Sequence, residues 1–289
     1  MKYYSYTIWF LLAAAAMFVM ENAASAQTNA AATGNWSSSS TWDNGVPEIG
    51  NSAFINGGYT VTLNSSGASA DLIDLGTADG ETGSMNITGG DLYVANADST
   101  TEFPATIRVG QALGSTGHMT MSGGAVYIYS DEGTGIAVGD LLVGDLGTGT
   151  LTMTGGEMYA ADEIFMAIDP ASHSTIDISG GRLDALGLNM IVGWGGVAEL
   201  NVSGTANINI ADTLWTSFWS DASSTINQTG GTINATQSVI MGRQASSTYN
   251  HSGGSLSAGV MTIGDGFEVE SAVSTYNISG TATAARIAG

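Results

Sequence analysis

The chain has 289 residues, with 41 glycines, no cysteine, 11% charged residues, and 5 Lys+Arg against 26 Asp+Glu, for a net charge of −21. That charge excludes a binder that neutralises a nucleic-acid backbone, and the lack of cysteine excludes a disulfide scaffold and a Cys-ligated zinc site. Three prolines and no triplet glycine period exclude collagen, and so few charges leave no heptads for a long coiled coil.

Residues 1–26 read as a signal peptide. Lys2 precedes an apolar run from Ile8 to Met20, and Ala24-Ser25-Ala26 before Gln27 suits a signal peptidase. The run is shorter than the ~20 residues a membrane-spanning helix needs. We therefore expect an exported protein, secreted or held at a bacterial surface, with no membrane span in the mature chain.

Residues 27–75 form an N-terminal lead-in and cap segment. It carries Gly34-Asn35-Trp36, Thr41-Trp42-Asp43-Asn44-Gly45-Val46-Pro47, Ala53-Phe54-Ile55 and Tyr59-Thr60-Val61-Thr62-Leu63.

From residue 76 to 289 one hexapeptide recurs eight times, from Met85-Asn86-Ile87-Thr88-Gly89-Gly90 to Tyr276-Asn277-Ile278-Ser279-Gly280-Thr281. Its successive spacings are 34, 32, 25, 24, 26, 23 and 27 residues. A second landmark, such as Ile107-Arg108-Val109-Gly110 or Met190-Ile191-Val192-Gly193, follows in most units, and a third alternating piece such as Leu92-Tyr93-Val94 lies between. Alternation indicates strands, and glycine indicates corners. Three short strands in 23–27 residues make one coil of a solenoid. The predicted fold is all-β: a right-handed, single-stranded parallel β-helix of about eight coils, with two loop insertions near Ala95 to Phe103 and Ser130 to Gly135. The chain stops at Arg286-Ile287-Ala288-Gly289, on the second landmark of a ninth unit, and we expect it to be truncated at the C-terminus.

The first and third hexapeptide positions are mostly large and apolar and are predicted to stack in the core. Gln228 and His251 break that rule in adjacent coils, which would make them either hydrogen-bonded core residues or a buried catalytic pair. His118 and His173 are expected in turns.

The lead-in segment and the Ser/Thr-Gly-Gly corners resemble autotransporter-passenger-like secreted bacterial β-helix proteins and their autotransporter-associated strand repeats. The resemblance implies a pectin-lyase-like solenoid, surface display and adhesion. No sorting signal or translocator barrel accompanies it in this sequence.

Two surfaces are candidate ligand-binding sites. The outward second and fourth hexapeptide positions supply Asn201, Asn227, Asn250 and Asn277 with Ser203, Thr229, Ser252 and Ser279, a stacked face suited to carbohydrate or ice. Trp215, Phe218 and Trp219 interrupt the regular second landmark, with Trp194 one coil earlier, and these aromatic faces could stack on sugar rings. Acidic loops make Asp140, Asp145, Asp265 and Glu268 calcium candidates; no other cofactor is expected. Most acids are expected in loops rather than paired on strands, as a glycoside hydrolase would need. The four mature-chain arginines, Arg108, Arg182, Arg243 and Arg286, are too dispersed to hold a polyanionic substrate.

The expected function is therefore a secreted or cell-surface structural or adhesive β-helix without catalysis of its own. Its partners would be extracellular polysaccharide or cell-envelope components. The alternatives are a polysaccharide lyase or hydrolase on the same fold and a carbohydrate- or ice-binding module.

Overall fold

The structure, a computed structural model, describes residues 26–95, 105–131, 137–264 and 273–285. Residues 1–25 of the signal-peptide segment, most of both inserted loops, Asp265, Glu268 and Arg286 lie outside the described residues.

The chain is a parallel β-helix with three faces. Sheet one stacks Gly34–Asn35, Thr60–Leu63, Thr82–Ile87, Thr116–Met121, Thr148–Met153, His173–Ile178 and Val197–Val202, then the opening parts of Ser223–Met241 and Ser247–Ile263, and finally Thr275–Ile278. Sheet two runs from Ala68–Ala70 and Asp91–Val94 through Ala125–Ile128, Glu157–Ala160, Arg182–Ala185 and Asn207–Ile210. Sheet three runs from Ala26–Asn29 and Asn51–Ile55 through Leu72–Leu75, Thr106–Val109, Asp140–Val143, Ile164–Met166, Met190–Val192 and Thr213–Thr216. The long strands Ser223–Met241 and Ser247–Ile263 bend through all three faces, with register shifts at the corners.

The ladder register reproduces the alignment of the first three hexapeptide positions residue for residue, while a register shift after Gln228 pairs Thr229 with Gly253 rather than Ser252. Met85 pairs with Met119, then Leu151, Ile176, Leu200, Ile226, Tyr249 and Tyr276. The first seven of these are fully buried. Strand alternation thus puts one column of apolar side chains on the rod axis, the arrangement that removes most surface from water per rung.

The lead-in segment does more than cap. It adds two rungs to sheet one and three to sheet three, so sheet one has ten rungs rather than eight. At about 4.8 Å per rung this is roughly 43 Å of rod. Trp36 and Trp42 close the core at that end, edge to face at 5.1 Å, and the Trp42 indole donates to the Trp36 carbonyl at 2.8 Å.

Both insertions leave from the corner between sheets two and three. The second has an antiparallel base, with Ser130 opposite Val138 and Asp131 opposite Ala137.

The corner after sheet three takes positive φ in every coil from Leu72 onward: Gly76, Gly110, Gly144, Ala167, Gly193, Ser217, Gly242 and Gly264. Trp215 therefore does not interrupt the landmark. It stands at the regular outward position of Thr213–Thr216, with Ser217 in the place of glycine at φ 48°.

Candidate functional site

Sheet one presents the hexapeptide's second position outward. Asn201 donates its side-chain amide to Asp177 Oδ1 at 2.8 Å, Asn227 to Asn201 Oδ1 at 2.9 Å, Asn250 to Asn227 Oδ1 at 2.8 Å, and Asn277 to Asn250 Oδ1 at 2.9 Å. The rung spacing brings identical amides to hydrogen-bond distance, so each carbonyl accepts from the next coil. Thr229 and Ser252 are exposed within the long strands Ser223–Met241 and Ser247–Ile263, Ser279 is exposed one residue past Thr275–Ile278, and Ser203 is half-exposed one residue past Val197–Val202. The four expected asparagines form one hydrogen-bonded column, and the four hydroxyl residues follow them two positions along the chain, with the register broken at Thr229. His118 and His173 are not in turns but stand exposed on sheet-one strands.

The three tryptophans lie elsewhere, on sheet three and the corner leading from it to sheet one. Trp194 and Phe218 occupy equivalent places in successive coils and stack at 4.4 Å and 6°. The Arg243 guanidinium, one coil further, lies 4.0 Å from the Phe218 ring. Phe165, Trp215 and Trp219 meet this column edge to face. All five aromatic side chains are half-buried. Rung-to-rung repetition stacks these rings, and the cation at the end of the column adds to them electrostatically.

Sequence reading missed a second aromatic column. Tyr93, Tyr127 and Tyr159 are register partners on the outer face of sheet two. Their rings stack at 5.2 and 5.3 Å, inclined by only 12° and 11°. The signal was present in Leu92-Tyr93-Val94, Val126-Tyr127-Ile128 and Met158-Tyr159-Ala160.

Gln228 and His251 are fully buried neighbours on the ladder. Each is held by a tyrosine from the following coil. Tyr249 donates to Gln228 Oε1 at 2.5 Å, and His251 Nδ1 meets the Tyr276 hydroxyl at 2.7 Å. Gln228 also donates to the Ser255 carbonyl at 2.9 Å. With Nε2 facing the Gly254 carbonyl, Nδ1 is the acceptor, and burial holds the ring's pKa below its usual value. Such groups are core residues, not accessible reactants. Tyr249→Phe is expected to cost about 1–3 kcal/mol by leaving the Gln228 oxygen without its hydroxyl donor. The double variant Gln228→Leu/Tyr249→Phe should recover part of that loss in urea unfolding, whereas strictly additive losses would refute the pairing.

Most described acids lie outside the strands, as expected, but several, Asp74, Asp140 and Asp184 among them, stand on strands. On sheet three's outer face Arg108 grips Asp74 bidentately, at 2.7 and 2.6 Å. Asp140 opens the strand Asp140–Val143, and Asp145 follows its far end past the Gly144 turn, so these two calcium candidates are kept apart. Asp140 Oδ1 accepts the Glu163 backbone N–H at 3.0 Å, and Asn189 donates to Glu163 Oε1 at 2.6 Å. Burial pushes Asp140 and Glu163 up to about 7 and Asp145 up to about 6. Among the described residues, no three His, Asp or Glu side chains converge as a metal site would require.

Arg182 pairs with Asp184 at 2.6 Å and lies over the Tyr159 ring, so the three described arginines all have partners within the chain. No helix among the described residues is long and apolar enough to cross a membrane. No family model, curated protein or solved structure matches the chain.

Proposed function

We propose that the protein is an exported structural or adhesive rod of the bacterial surface or extracellular matrix, without catalysis of its own. The observation that carries this reading is the amide ladder from Asp177 to Asn277, in which outward polar groups bond along the rod axis. Such a ladder stiffens a long regular surface. The internally engaged arginines support the same reading, because a polyanion-cleaving site needs cations left for substrate. Display as an autotransporter-like passenger and export through the first 26 residues belong to this proposal.

The test is incubation of the purified chain with neutral and acidic polysaccharides and with isolated cell-envelope material. Retention on one of these without release of new chain ends is expected. Polysaccharide cleavage would overturn the proposal in favour of a lyase or hydrolase.

A carbohydrate-binding reading is favoured by the Trp194–Phe218 column with Trp215 and Trp219 beside it, since ring faces of that size suit sugar rings. Under that reading, Trp219→Ala should weaken polysaccharide retention at least fivefold, while Asn227→Ala leaves it within twofold. The reverse order would move the contact to the amide face.

A further inference from the structure

The tyrosine column on sheet two has a chemistry of its own, independent of what the rod adheres to. Tyr93, Tyr127 and Tyr159 are register partners, so their rings are held in the same orientation one rung apart. They stack nearly parallel at 5.2 and 5.3 Å, on the outside of the rod, with Tyr93 37% exposed. Register pairing and near-parallel rings hold successive phenols side by side, one rung apart. We propose that this column is an oxidative modification site, where a peroxidase-type one-electron oxidant joins neighbouring rings into a dityrosine staple between coils.

The step balances. Each of two phenols loses one electron and one proton, the two radicals form a carbon–carbon bond between ortho positions, and the ortho hydrogens return as ring hydroxyls re-form. Two hydrogen atoms leave in total, and one hydrogen peroxide is reduced to two waters. A base is in place for the first proton: the Tyr159 hydroxyl donates to Glu157 Oε2 at 2.6 Å. Oxidation of Tyr159 can therefore pass its proton to Glu157 as the electron leaves. Among the described residues the radical then has only Tyr127 as a stacked ring, and Tyr127 has Tyr93 beyond it.

The molecule contains its own control. Tyr249 and Tyr276 are also 5.2 Å apart, but at 88° and with Tyr249 fully buried. Distance is the same, while ring alignment and access differ. For a chain with no cysteine, a dityrosine staple would be a covalent tie between coils.

The experiment treats the dilute purified chain with horseradish peroxidase and hydrogen peroxide. The expected product is monomeric, fluoresces as dityrosine, weighs two hydrogens less per link, and yields peptides joined through Tyr127 to Tyr93 or Tyr159. Tyr127→Phe keeps a stacked ring but removes the central phenol, leaving Tyr93 and Tyr159 two rungs, about 10 Å, apart. That variant should keep the wild-type melting temperature and lose at least tenfold of the intrachain dityrosine yield. Glu157→Gln should slow the 127–159 link several-fold and leave the 93–127 link unchanged. A staple that persists in Tyr127→Phe, maps to Tyr249–Tyr276, or forms only between molecules would overturn the proposal.

Discussion

Gly110→Ala is expected to destabilise the rod by at least about 3 kcal/mol, and Gly193→Ala by only about 1–2 kcal/mol, although the two glycines fill the same corner in different coils. Both have positive φ, 76° and 79°, where an L side chain costs about 1–2 kcal/mol. Their surroundings separate them. A Cβ on Gly110 would land inside the van der Waals envelope of the Thr148 carbonyl, whereas a Cβ on Gly193 first meets Ser223 O and Ser224 Cβ at 3.3 Å. The Thr148 backbone is fixed, with its N–H donating to the Ser115 carbonyl at 2.9 Å. It can yield only by opening the ladder, which adds the cost of lost hydrogen bonds. Ala167 and Ser217 already occupy this corner at φ 52° and 48°, near the left-handed well open to L residues. Urea unfolding of both variants at one pH is the measurement. Equal losses would mean that φ alone, and not contact between coils, sets the demand for glycine here.

Most of the architecture was legible because a solenoid repeats one physical problem in every coil. Met85, Met119, Leu151 and Ile176 recur at one position because each must fill the same inward slot. Their spacings became the ladder offsets without adjustment. The lead-in segment was less legible: Gly34–Asn35 and Thr60–Leu63 pair into sheet one without carrying the Gly-Gly corner that marks later coils. Ser217 hid its coil in the same way, by replacing a glycine with a residue that tolerates the same turn.

The surfaces were harder to read than the core. The amide ladder followed directly from its column of asparagines. The Tyr249–Gln228 and Tyr276–His251 contacts are diagonal, from the first position of one coil to the third position of the coil before. They are nevertheless visible in retrospect, since tyrosine enters the first column only in the two coils that follow a polar third position. The outer face of sheet three was not legible. Alternation marks Asp74, Leu142 and Ile191 as outward, yet all three are at most 5% exposed. Period-two patterning distinguishes two sides of a strand but does not say whether the outer side is covered.

Three other carboxyls, Asp140, Asp145 and Glu163, set the second large effect: the rod should become more stable as pH falls from 8 to 5. Glu163 and Asp140 are raised to about 7 and Asp145 to about 6 by burial. Asp162 and Asp212 near Glu163, and Asp74 and Asp169 near Asp145, push the same way, while Arg108 opposes the rise at Asp145. A carboxyl that is a weaker acid in the native state than in the unfolded chain binds more protons when folded. Its contribution is complete below the unfolded value near 4 and is lost as pH rises through 6 to 7. At about 1.4 kcal/mol per pH unit for each group, the three amount to a change on the order of 3–6 kcal/mol between pH 5 and 8. His251 works in the opposite direction, because its lowered pKa favours protonation of the unfolded chain below about 6.5. One histidine against three carboxyls leaves the sign unchanged. Urea midpoints across this range should therefore be highest near pH 5. Glu163→Gln keeps an acceptor for Asn189 but cannot ionise, so it should exceed the wild type at pH 8 and flatten the slope by up to one proton. Stability that climbs with pH, or a Glu163→Gln chain no more stable than the wild type at pH 8, would show that these carboxyls stay charged and solvated in the folded rod.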